Sequence, residues 1–170
     1  METSKKILAL DSSGLVASVA VVEGNSAYSN LLAEYTVNYK KTHSQTLLPM
    51  LDEIANMTEL DLTSIDAIAI AAGPGSFTGL RIGSATAKGL GLALKKPLIS
   101  IPTVDALAYN LYGTDRLICP IMDARRNQVY TGIYEFRGNT MEVLEPQMAV
   151  DIEVIAEKLC ERQQDVIFLG

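Results

Sequence analysis

The sequence predicts an α/β fold in which one strand-and-helix pattern is used twice, and three observations carry that prediction. Short apolar segments between polar turns run in the order three strands, helix, strand, helix, strand, helix, and then three strands, helix and strand again. Residues 67–72 are a continuous apolar run, the pattern of a parallel strand covered on both faces. The turn that follows, Gly73-Pro74-Gly75-Ser76, separates this strand from a helix, as α/β units require.

The elements follow in order. Residues 6–10 form a strand that ends in the polar turn Asp11-Ser12-Ser13-Gly14, residues 17–22 form a second, and residues 27–37 complete a meander. Residues 44–57 are helical because Leu47, Leu48, Leu51, Ile54 and Ala55 recur at three- and four-residue intervals, with Ser44 placed to cap. Pro49 frees the carbonyl of Gln45, so this helix must start late or bend. A helix over 78–95 ends at Lys95-Lys96-Pro97, cations at the negative end of the macrodipole followed by a residue that cannot continue it. Then come a strand at 98–101, a short helix capped by Thr103 to about 112, strands at 117–122, 128–134 and 141–150, a helix at 151–161 and a strand at 166–169. The expected domains are 1–104 and 105–170, the second cut short relative to a complete two-domain unit.

Composition excludes several classes. With 48% apolar and 20% charged residues, 12 Gly and 6 Pro, the chain is neither disordered nor collagenous nor a disulfide scaffold. Its net charge of −6 repels a phosphate backbone, which argues against autonomous nucleic-acid binding. Cys119 and Cys160 have no CxxC spacing and read as buried thiols of a reducing compartment, with no zinc site. The first apolar stretch, 7–10, is too short for a leader, and no span approaches the roughly 20 residues of a membrane helix, so the expected location is the cytoplasm, away from membranes. His43 is the single histidine, which rules out a histidine pair for a metal and the usual triads and dyads; it reads better as a polar residue ahead of a helix.

Two turns carry candidate chemistry. In Gly73-Pro74-Gly75-Ser76-Phe77-Thr78-Gly79, free backbone N–H groups at a helix start make an anion site. The motif is neither a Walker A loop nor GxGxxG, and close helix packing is the competing explanation of its glycines. Asp11, Ser12 and Ser13 could hold a metal-bound water and a phosphate, or could form a plain polar turn. With the duplicated topology, they read as the first phosphate loop of an actin-like or sugar-kinase-like fold. Asp123-Ala124-Arg125-Arg126-Asn127-Gln128, between two strands, reads as a charged hairpin turn.

The helix at 78–95 contains Gly79, Gly83, Gly89 and Gly91, each about 1 kcal/mol worse than alanine. On a helical projection Gly79, Gly83, Ala87 and Gly91 share a side with Leu80, Leu90 and Leu94, while Arg81, Lys88 and Lys95 form the only polar strip. So narrow a wet face implies cover from the chain's own sheet and from something else, either the neighbouring helix or a partner. The neighbouring helix has an apolar arc widened by Met50 and Met57.

Segments at 7–13, His43-Ser44-Gln45-Thr46-Leu47-Leu48-Pro49, Gly73 through Gly83, and Asp123-Ala124-Arg125 before Val129-Tyr130 resemble the bacterial threonylcarbamoyladenosine biosynthesis family TsaB, also called YeaZ. The resemblance implies an actin-like, sugar-kinase-like and Hsp70-like fold without catalysis of its own. It implies a partner of the TsaD carbamoyltransferase type, working with the ATPase TsaE on adenosine 37 of tRNAs that read codons beginning with A. It also implies a homodimer in isolation, contact with tRNA only through the complex, no metal and no required cofactor, any ATP or ADP affinity being vestigial. The vestigial loop would comprise Asp11, Ser12, Ser13, Gly73, Gly75, Ser76 and Thr78. The partner interface would lie on the first two helices, with Leu47, Met50, Leu51, Ile54, Gly79, Leu80, Gly83, Ala87 and Gly91. The alternatives are a phosphotransferase of the same fold and a metallopeptidase-like protein, the latter disfavoured by the single histidine.

Overall fold

A computed structural model describes residues 3–39 and 43–170. Met1, Glu2 and residues 40–42 lie outside the described residues. The chain divides into two compact units, Met1–Ile101 and Pro102–Gly170. That division falls three residues ahead of the expected one, because the helix starting at Thr103 packs on the second sheet.

The first unit contains β1 (Lys5–Asp11), β2 (Ala17–Gly24), β3 (Ser29–Val37), α1 (His43–Thr58), β4 (Ala67–Ala71), α2 (Phe77–Leu94) and β5 (Leu98–Ile101). Its sheet order is β3-β2-β1-β4-β5, with β1 antiparallel to β2 and parallel to β4. Period-two alternation turns Leu8, Leu10, Val19 and Val21 inward, where they meet Leu47, Met50, Leu51 and Ile54 of α1 and Ala87 of α2. All five residues of β4 are buried, as its unbroken apolar run requires.

The second unit contains α3 (Thr103–Tyr109), β6 (Leu117–Arg125), β7 (Gln128–Arg137), β8 (Thr140–Asp151), α4 (Ile152–Arg162) and β9 (Val166–Leu169). Its sheet order is β8-β7-β6-β9, with β6 antiparallel to β7 and parallel to β9. This repeats the β3-β2-β1-β4 scheme strand for strand, so the duplication expected from the sequence holds.

Local differences have physical causes. Helix α1 begins at His43, which puts Ser44 in its first turn instead of at the cap, and Pro49 lies inside the helix. Ser76 caps α2, its hydroxyl accepting the Gly79 N–H at 3.3 Å, and left-handed Lys95 closes the other end. Thr103 is the first residue of α3, not its cap: Pro102 supplies the extended backbone of the cap, and the Thr103 hydroxyl is buried without a partner among the described residues. Cys119 is buried, and burial pushes its thiol up, but Cys160 is exposed on α4, whose inward residues are Ile155 and Leu159. The β6–β7 hairpin closes through Arg125, Arg126 and Asn127, all left-handed, with Asp123 Oδ1 accepting the Arg125 N–H at 2.7 Å.

Tyr134 is fully buried in the second unit, and its hydroxyl donates to Asp105 Oδ1 at 2.7 Å. Burial first, and then the Asp105 carboxylate, push this phenol far above its ordinary range. The resulting stabilisation is complete below the ordinary phenol pKa of about 10 and is lost as the pH rises beyond it. Tyr134→Phe is expected to cost about 1–2 kcal/mol by leaving Asp105 unpaired. The same variant should flatten the alkaline limb of a stability profile measured by thermal unfolding.

Candidate functional site

Parallel pairing of β1 with β4 sets their carboxyl ends side by side, which brings the 11–14 and 73–79 turns together. Half-buried Asp11 accepts the Ser13 N–H through Oδ1 at 2.7 Å. The buried Ser12 hydroxyl donates to the Gly79 carbonyl at 2.9 Å, and the Ser76 N–H donates to the Ser13 carbonyl at 2.6 Å. His43 Nε2 donates to the Gly14 carbonyl at 2.9 Å, tying the start of α1 to the same turn.

The glycines acquire a specific role here. A Cβ on Gly75 would strike the Ser13 carbonyl oxygen, one on Gly79 the Ser12 carbonyl oxygen, and one on Gly83 the Ser12 hydroxyl. Backbone thus approaches backbone where the sequence motif suggested a phosphate cradle. At the start of α2 the Ser76 N–H is bonded to Ser13 and the Gly79 N–H to the Ser76 hydroxyl. Gly73, at φ +102°, lies in the turn after β4, and Thr78 is exposed on the first turn of α2. Among the described residues, no three His, Cys, Asp or Glu side chains gather as a metal site would need.

Helices α1 and α2 pack side by side over the sheet. The interface residues expected from the sequence are interior here. Leu47, Met50, Leu51, Ile54, Gly79, Gly83, Ala87 and Gly91 are buried, and Leu80 is half-buried. This corrects the residue assignment: the glycine side of α2 lies on Ser12, Ile70 and Leu98 of its own unit. The outward side carries Leu48 on α1 at 51% exposure and Phe77 and Leu92 on α2 at 75% and 83%, with exposed Ala85 between the last two. Phe77, Leu80, Arg81, Ser84, Ala85 and Lys88 line a groove of about 410 Å³, and the Arg81 guanidinium stands 5.4 Å from the Phe77 ring centre. The same helical projection, taken from its opposite side, contained this face.

A family model described as TsaD, tRNA N6-adenosine threonylcarbamoyltransferase, matches residues 30–166. The chain is 36% identical to the tRNA threonylcarbamoyladenosine biosynthesis protein TsaB of Bacillus subtilis, over 96% of this chain and 70% of that one. It belongs to the TsaB family. TsaB of Escherichia coli is 35% identical over 97% of this chain and 71% of its own length, and that of Haemophilus influenzae 33% over 94% and 66%. The chain therefore spans about two thirds of the length of its TsaB relatives. Among solved structures, YeaZ from Pseudomonas aeruginosa superposes with a TM-score of 0.75 at 30% identity, covering 88% of this chain and 68% of that one. The PPX-GPPA enzyme of Aquifex aeolicus, at 10% identity and TM-score 0.51 over 99% of this chain and 68% of its own, shares the fold alone. The TsaB fold of this chain is the expected actin-like one. No helix among its described residues is long and apolar enough to cross a membrane.

Proposed function

We propose that this TsaB-family chain is a cytoplasmic, non-catalytic subunit that docks a TsaD-type carbamoyltransferase in tRNA threonylcarbamoyladenosine synthesis. A TsaE-type ATPase completes the set, and the tRNA is met only through the complex. The observation that carries this reading is the outward face of α1 and α2, where Leu48, Phe77, Ala85 and Leu92 stand in solvent and Phe77 and Ala85 line a groove. In the absence of that partner the same face self-associates. The 11–14 and 73–79 turns support the non-catalytic role: their polar groups are bonded to one another, so nucleotide affinity would be vestigial and no cofactor is required.

The test is to mix the purified chain with a TsaD-type subunit and follow both by size-exclusion chromatography with light scattering. A stable complex of defined mass is expected, with no carbamoyltransferase, kinase or peptidase turnover by the chain alone. Separate elution of the two proteins, or metal-dependent turnover by this chain that Asp11→Ala abolishes, would overturn the reading. Isolated chain is also expected to show no sub-micromolar tRNA affinity at physiological salt in a gel shift, because its net charge of −6 offers no counterion release.

A further inference from the structure

Strand β3 is an outer strand of the first sheet, hydrogen-bonded on one side to β2, and its nine residues include no proline, lysine or arginine to guard the free side. Tyr35 stands opposite buried Val19 and Val37 opposite buried Ala17, so both face α1. Thr46, Pro49 and Glu53 recur at three- and four-residue spacing along the side of α1 turned towards this strand. With Tyr39, two residues beyond β3, these side chains line a cleft of about 330 Å³ between helix and strand. Tyr35 and Tyr39 are 43% and 66% exposed, and exposed Glu53 has no ion-pair partner among the described residues. Neither α1 nor β3 contains a lysine or arginine, their charges being Glu34, Asp52 and Glu53. Lys40 and Lys41, next in the sequence after Tyr39, lie outside the described residues.

We propose that this cleft and the free edge of β3 form one binding site, which takes an extended segment of a partner protein as an added strand with a lysine or arginine entering the cleft. Strand addition satisfies the unpaired backbone groups along the edge whatever the sequence of the segment. Alternate side chains of the added strand then project beside Tyr35 and Val37, over the same face as α1. Specificity comes from the cleft, where the tyrosine rings attract a cation and the Glu53 carboxylate favours a positive head and repels a negative one. A second copy of β3 would bring Glu34 and no cation, so the occupant is a basic segment of another protein.

Selection of random phage-displayed octapeptides on the full chain, followed by fluorescence anisotropy of the enriched peptides, tests the site. Enriched sequences are expected to alternate apolar and basic residues and to lack proline. Glu53→Lys is expected to weaken their binding at least about tenfold and Tyr35→Ala about fivefold. Asp52→Lys makes the same charge change on the same helix outside the cleft and is expected to leave binding within about twofold, which separates the site from general attraction to an acidic protein. Methylating alternate backbone amides of the peptide should abolish binding in one phase and spare it in the other, because only one edge of the added strand meets β3. Circular dichroism confirms the folding of each variant. Failure to enrich any peptide, enrichment of acidic ones, equal losses from Glu53→Lys and Asp52→Lys, or the same response to both methylated phases would overturn the proposal. Loss of binding in Lys40→Ala with Lys41→Ala would overturn it too, since those lysines, and not Glu53, would then hold the peptide.

Discussion

Gly83→Leu is expected to destabilise the first unit by about 3 kcal/mol, a large part of the stability of an ordinary domain, and not merely to weaken an interface. A Cβ at this position lands on the Ser12 hydroxyl and comes within 3.0 Å of Ile70 Cδ1, with buried strands behind both. Gly79→Ala makes the sign of the effect sharper. Helix propensity alone would gain about 1 kcal/mol, but the new methyl strikes the Ser12 carbonyl, which is fixed backbone and cannot rotate away. The overpacking cost of about 1–3 kcal/mol then outweighs the gain. Gly89 is the internal control, since it lies on the same helix with nothing within 4 Å of its hypothetical Cβ. Gly89→Ala is expected to stabilise by about 0.5–1 kcal/mol. Urea unfolding of the three variants checks the account, and a Gly83→Leu protein as stable as its parent would contradict the packing of α2 described here.

The second large effect is on binding. Leu92 is 83% exposed, so Leu92→Asp adds a solvated carboxylate in the free chain and leaves the fold intact. In the complex with a TsaD-type subunit that carboxylate is desolvated against the partner, and the apolar contact is lost as well. A loss of about 2 kcal/mol, or roughly thirtyfold in affinity, is expected by titration calorimetry. Met57→Asp, on the last turn of α1 at 78% exposure, is a comparison at the far edge of the layer and should cost less.

The contrast between these variants shows what could be read from the sequence. Strand β4 was legible because a short apolar run closed by Gly73-Pro74-Gly75 fits a strand covered on both faces better than a helix, and α1 because its leucines repeat at helical intervals. The four glycines of α2 announced a close approach, but a helical projection does not say which side meets the chain's own sheet. The deciding neighbours, Ser12 and Ile70, are supplied by the turn after β1, far away in sequence, and by β4. The interface was therefore assigned to the buried side. The same gap in long-range information left the Gly73–Gly79 turn open between anion binding and close packing, until the Ser76 N–H was seen to bond the Ser13 carbonyl. Caps were misplaced at Ser44 and Thr103 because both favourable capping residues stand inside the first turn, Thr103 as the first residue of α3 and Ser44 as the second of α1.

Hydrogen exchange of the chain with and without a TsaD-type subunit tests the central claim most directly, because it reports which backbone amides the partner covers or orders. The account predicts increased protection in peptides from the exposed sides of α1 and α2, those containing Leu48, Phe77, Ala85 and Leu92. It predicts no comparable change in β7 or β8. Protection confined to the second unit, with α1 and α2 exchanging as in the free chain, would contradict the assignment of the docking surface.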